Sequence, residues 1–116
     1  MIDRIDTLCL KVRNVEDASN WYQQILGFKE TFQDKGYRIL AVGNGSVPLT
    51  IEEGETNPSA HQCYPIFFSS ELNQTYENLK QQGVKVSELQ FDGVNSFFDL
   101  YDLDNNKLQI CFWSEV

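Results

Sequence analysis

Apolar and polar positions alternate through the first dozen residues of the chain. Ile5, Leu8, Leu10 and Val12 are apolar, and Thr7, Cys9 and Lys11 share the other face, so a strand is predicted over 5–12. Asn14 follows with the character of a helix N-cap, and Glu16 and Asp17 sit in the first turn, where acid complements the helix dipole. Val15, Ala18, Trp21, Tyr22 and Ile25 then recur at helical spacing, which assigns Trp21 and Tyr22 to the core. Gly27 stops this helix. Short strands are predicted over 28–33, 37–42 and 47–52, separated by the turns Asp34-Lys35-Gly36 and Gly43-Asn44-Gly45. A polar linker spans residues 54–59.

The pattern then restarts. A strand is predicted over 63–68, and Ser69 or Ser70 would cap a helix carrying Leu72, Tyr76 and Leu79, ended by Gly83. A strand over 84–86 and a loop lead into a hairpin. Its arms flank the polar turn Asp104-Asn105-Asn106, where an asparagine can take positive φ. In the second arm Leu108, Ile110 and Phe112 form a purely apolar face. Lys107, Gln109, Cys111 and Trp113 form the other, and an amide between a thiol and an indole suits the wall of a cavity. The helix-ending glycines Gly27 and Gly83 stand 56 residues apart, and Thr7 and Tyr64 stand 57 apart. The chain is therefore an internal duplication of a βαβββ unit. The expected class is α+β, with one module at about 1–56 and the other at about 60–116 of a single domain. Together they would build one curved mixed sheet around a cleft, with the helices outside.

Composition narrows the function. The 116 residues suffice for one domain, and 41% hydrophobic and 13% aromatic content is that of a folded chain. A net charge of -8, with Lys and Arg scattered, argues against a nucleic-acid partner. No apolar run reaches the ~20 residues of a membrane helix, and the N-terminus has no signal-peptide character. Cys9, Cys63 and Cys111 are an odd number in apolar surroundings, which fits reduced thiols and a cytoplasmic location. The absence of a Cys-x-x-Cys pair argues against structural zinc.

Three stretches carry a resemblance. They are Asn14 to Ala18 continuing through Trp21-Tyr22 to Leu26-Gly27-Phe28, then Tyr76 to Leu79 and Gly83-Val84, and finally Tyr101 to Gln109. With the duplication, they make the whole chain resemble the vicinal oxygen chelate superfamily of glyoxalase I, extradiol dioxygenases, and fosfomycin and bleomycin resistance proteins. The last stretch is similar to the family's Asp-Pro-Asp-Gly-Asn turn, with Leu103 and Asn105 in place of Pro and Gly. The resemblance implies divalent-metal positions at Thr7, Thr50, Tyr64 and Gln109, and Thr50 can slip to Glu52 without breaking the alternation. None of the four is His, Asp or Glu, so no metal cofactor is expected. Another alignment would place the only histidine, His61, at a ligand position, but without partners it reads as a linker residue. Glu52, Glu53 and Glu55 read as a solvated acidic edge. The resemblance also implies a homodimer.

Cys9 and Cys111 each lie two residues beyond a presumed ligand position, hence on the same faces, but only Lys11 is near enough to activate a thiol. They read as ordinary cysteines. Tyr64, Phe68, Tyr101 and Trp113 would supply aromatic walls, with Asp99 and Arg38 as the few charges. The expected function is binding of a small organic molecule, planar or cationic, in a cleft lined by Thr7, Cys9, Thr50, Tyr64, Phe68, Tyr101, Gln109, Cys111 and Trp113. No catalytic residue is assigned. The alternatives are a metal-dependent lyase or dioxygenase using Glu52, Tyr64, Gln109 or His61, and a regulatory subunit with a vestigial cleft.

Overall fold

Two stretches of the chain repeat one order of elements. The computed structural model describes residues 1–56 and 63–114; His61 and the end of the polar linker lie outside the described residues. The first stretch runs β1 (Leu8–Val12), α1 (Val15–Leu26), β2 (Lys29–Asp34), β3 (Tyr37–Ala41) and β4 (Leu49–Glu53). The second runs β5 (Ile66–Phe68), α2 (Leu72–Gln81), β6 (Gln90–Phe91), β7 (Ser96–Tyr101) and β8 (Lys107–Phe112). The protein is thus α+β, built of tandem βαβββ modules. The sequence reading put the strands in one curved sheet; the hydrogen-bonded ladders form two sheets of four, one in each module. The chain divides into compact units Met1–Asn57 and Pro58–Val116.

In the first module the strand order is β1-β4-β3-β2. The strands β2, β3 and β4 form an antiparallel meander, with a register shift between Glu30 and Phe32. β1 adds parallel to β4, with Leu10 opposite Ile51. A parallel pair needs a long connection, and α1 with the meander supplies it. The helix begins where Asn14, in extended conformation, accepts at its side-chain oxygen from the Asp17 N–H at 2.9 Å. It ends at Gly27, whose φ of 73° is the left-handed value that favours glycine. Val15, Ala18 and Tyr22 of α1, and Val12, Leu40, Leu49 and Ile51 of the sheet, are buried. Each large side chain so placed contributes about 1.5–3 kcal/mol. Trp21, expected in the core, is half-buried and meets the Tyr22 ring edge-on at 5.0 Å. Residues 5–7, expected to begin the first strand, precede it.

The second module repeats this order as β5-β8-β7-β6, with β5 parallel to β8. Three details depart from the sequence reading. The strand expected over 63–68 shortens to Ile66–Phe68, because Pro65 lacks the N–H that would continue the ladder. The strand expected over 84–86 is a single bridge between Val86 and Leu100, and the module's second strand is instead β6. The cap of α2 is Glu71, which makes no side-chain cap bond; Ser69 Oγ accepts instead from the Glu71 N–H at 3.3 Å. The hairpin β7–β8 stands as expected, with Asn105 at φ 63°. Asp102 Oδ1 accepts from the N–H groups of Asp104 and Asn106, each at 2.9 Å, and this pins the turn. Leu72, Tyr76 and Leu79 of α2 are buried, as are Phe98, Leu100, Leu108 and Ile110 of the sheet.

Candidate functional site

Strand parity sorts each sheet into a face under its helix and a face turned away from it. In the second module the helix side carries Phe98, Leu100, Leu108 and Ile110, and the Tyr76 ring meets Phe98 edge-on at 4.9 Å. The opposite face carries Phe97, Asp99 and Tyr101 of β7, Lys107, Gln109 and Cys111 of β8, and Ile66 and Phe68 of β5. Tyr64 and Trp113 flank these strands. This face therefore holds six of the sequence-predicted residues, Tyr64, Phe68, Tyr101, Gln109, Cys111 and Trp113.

Its polar centre is a linked set. Asp99 and Gln109 stand directly opposite in the ladder, and Gln109 Nε2 donates to Asp99 Oδ1 at 3.0 Å. Lys107 Nζ lies 3.8 Å from Asp99 Oδ2 and 4.1 Å from the centroid of the Tyr64 ring. Lys85 Nζ lies 4.7 Å from the Tyr101 centroid. Phe68 meets Trp113 edge-on at 5.5 Å and remains half-exposed, as does Trp113. Lys107 was not among the residues singled out from sequence, although its parity with Gln109 placed it on this face.

The corresponding face of the first module combines hydroxyls and charges with one aromatic stack, Phe32 on Tyr37 with ring centroids 5.7 Å apart. The hydroxyls of Thr7 and Thr50 lie 2.8 Å apart, and Thr7 Oγ1 donates to the Pro48 carbonyl at 3.0 Å. Thr7 Oγ1 thereby leaves Thr50 as the donor across the pair. Cys9 stands opposite Thr50, and Lys11 opposite Glu52 with an ion pair between them. Thr50 and Glu52 share this face, and Thr50 is buried while Glu52 is half-buried.

Arg38 is not part of either open face. Its register partner is Ile51, so it lies on the helix side of the first sheet. There its Nε lies 3.1 Å from Glu30 Oε1, to which the buried Ser19 donates from α1 at 2.8 Å. Gln23 in turn donates to Ser19 at 3.0 Å, and Arg38 Nη1 donates to the Asp34 carbonyl at 2.7 Å. A charged residue with this many partners is a structural element of the helix–sheet layer.

The cysteines are weak nucleophiles. Burial pushes the Cys9 thiol above its ordinary pKa, Glu52 adds to the rise, and Lys11 opposes it. Burial likewise raises Cys111. At neutral pH both are held as thiols, and the thiolate is the reactive form.

The four presumed metal positions fall two in each module. Thr7 and Thr50 bond to each other, Tyr64 lies under an ammonium, and Gln109 bonds to Asp99. Neutral hydroxyls, a phenol and one amide do not fit a first-row divalent ion. Among the described residues, no group of three or more His, Cys, Asp or Glu is placed to hold a metal.

Tandem βαβββ modules, with each first strand parallel to its module's last, define an α+β protein of the vicinal oxygen chelate type. The chain belongs to the Glyoxalase/Bleomycin resistance protein/Dioxygenase superfamily, whose family model matches residues 4–110. It is 27% identical over 94 residues to the virulence protein STM3117 of Salmonella typhimurium, and the match covers 76% of this chain and 65% of that protein. The chain thus spans just under two thirds of the length of that curated relative. Among solved structures it is similar to TnmS3, an antibiotic binding protein from Streptomyces sp. CB03234. That likeness has a TM-score of 0.84 at 15% identity and covers 97% of this chain and 98% of that one. It is similar also to the fosfomycin resistance protein FosX from Listeria monocytogenes, whose structure holds Mn(II) and sulfate. Here the TM-score is 0.82 at 18% identity, with 98% and 93% covered. These likenesses establish the fold. No helix among the described residues is long and apolar enough to cross a membrane.

Proposed function

We propose that this chain binds a small organic molecule on the aromatic face of its second module, without the family's metal, and acts by sequestration. The observation that carries this reading is that Tyr64, Phe68, Tyr101 and Trp113 share one half-exposed face with the Gln109 amide. Sequestration needs shape and contacts but no reactive group, which suits a face whose thiol is held protonated. The antibiotic binding named for TnmS3 supports the same reading. The exposed, unpaired Cys9 and Cys63 support a reducing, cytoplasmic setting. A homodimer is proposed from the family resemblance, with sedimentation velocity as its check.

The first experiment is metal content. Purified protein is exposed to nickel, zinc, iron, manganese and magnesium, freed of excess, and assayed for bound metal per chain. The expected result is no stoichiometric metal, together with a thermal shift from members of a panel of planar aromatic compounds. One metal per chain, lost on Gln109→Ala, would overturn the metal-free reading. A panel that leaves the melting temperature unmoved would overturn the binding reading.

A further inference from the structure

The charged groups on the second module's open face decide which class of molecule it takes. Two of its rings already carry an ammonium, Tyr64 from Lys107 at 4.1 Å and Tyr101 from Lys85 at 4.7 Å. A ring face so matched has little attraction left for a second cation. Asp99, the one carboxylate on the face among the described residues, is matched as well, by Gln109 at 3.0 Å and Lys107 at 3.8 Å. Over Tyr64 or Tyr101 a cationic ligand would have to displace a lysine, and anywhere on the face it would meet two ammonium groups, Lys85 and Lys107, against the single carboxylate of Asp99. The remaining rings include Phe68 and Trp113, 54% and 43% exposed, and the half-buried Phe97.

Gln109 adds a directional group to that surface. A carboxylate can only accept, so Asp99 takes the NH2 end of the amide, and the carbonyl end is turned elsewhere. No hydrogen bond among the described residues engages Gln109 Oε1. An oriented carbonyl on a face that also carries open rings selects a donor. From this arrangement we infer that the ligand is a planar aromatic molecule that carries no cationic group and bears an O–H or N–H donor. Gln109 Oε1 is its acceptor, and Asp99 is the positioning residue that holds the amide in that sense. The inference rests on the binding reading above and narrows the planar or cationic class expected from sequence to planar molecules without a cationic group.

Three bicyclic probes test it by titration into 15N-labelled protein, followed through the Gln109 side-chain amide and Trp113 indole signals. They are 2-naphthol, 2-methoxynaphthalene and the 1-methylquinolinium cation. The expected order has 2-naphthol about three- to tenfold tighter than 2-methoxynaphthalene, the worth of one hydrogen bond, with the cation weakest. Gln109→Met is expected to bring the naphthol-to-ether ratio to about one. Asp99→Asn, which frees the amide to turn over, is expected to lower the ratio while leaving the ether's own affinity unchanged. A role confined to structure would weaken both probes together. Equal or tighter binding of the cation, or an unchanged ratio in Gln109→Met, overturns the inference and leaves the binding reading standing. No shift with any probe overturns both.

Discussion

The two modules share a strand order and differ in what fills each side of the sheet. Beneath α1 the first module places a polar chain, Gln23 to Ser19 to Glu30 to Arg38, beside its apolar core. Beneath α2 the second module packs the Tyr76 ring on Phe98, and the phenol is satisfied by donating to the Ser87 carbonyl at 3.0 Å. On the sides away from the helices the same contrast holds. The first sheet carries paired threonines and a Lys11–Glu52 pair, and the second carries rings and an amide. The lesson is that caps and apolar alternation are enough to reproduce a topology. A handful of positions in register then give each face its chemistry.

The largest expected effect breaks the apolar layer. Phe98→Ala should lower the unfolding free energy by about 3–5 kcal/mol, because the cavity lies against the rigid Tyr76 ring. Denaturant titration measures it; a loss below 1 kcal/mol would mean that α2 collapses onto the sheet and the ring contact is not a packing anchor. The polar layer should be less sensitive. Arg38→Leu leaves Glu30 facing Ser19 without its counter-charge and should cost about 2 kcal/mol, below the value for a fully buried pair because Glu30 keeps 25% side-chain exposure. Adding Glu30→Leu should recover most of that loss.

The helix starts offer a finer contrast. Asn14→Ala should cost about 1 kcal/mol, whereas Glu71→Ala, which removes no cap bond, should change stability by less than about 0.5 kcal/mol. Equal losses would show that the cap bond is not what distinguishes the two starts. The smallest effect is on reactivity. The thiolate is the form that alkylates, and a raised pKa delays its appearance as pH rises. Cys9 and Cys111 should therefore react slowly with iodoacetamide at neutral pH and speed up only above the ordinary thiol range. Glu52→Gln should move the midpoint for Cys9 downward and leave that of Cys111 in place, read by mass spectrometry.

Most of the architecture was legible because its signals are local. Asn14, Gly27 and the Asp104-Asn105-Asn106 turn act on their own neighbours, and alternation named the apolar face of β8. The hidden parts depend on pairing. β6 is two exposed residues with no period to detect, and it exists because Gln90 and Phe91 lie along β7. Arg38 read as one of the few charges of the cleft because nothing in the sequence announces that Ser19 and Glu30 will meet it. The bond between Gln109 and Asp99 required the hairpin register, although parity had already placed Gln109 on the right face. The choice between Thr50 and Glu52 dissolved, since both belong to one face and differ in partner.

The parallel pairing of β1 with β4 also sets an order of events in time. Leu8 must find Leu49 across a closed loop of some forty residues, while β2, β3 and β4 meet through short turns. Loop closure favours the meander as the nucleus, so β1 is expected to dock after the barrier has been crossed. Removing the buried Val12 side chain at the end of β1 should therefore steepen the rate of unfolding and leave the folding limb of the chevron nearly untouched. The same chain direction that gives the module its parallel pair makes its first-synthesised strand the last to be secured and the first to be released.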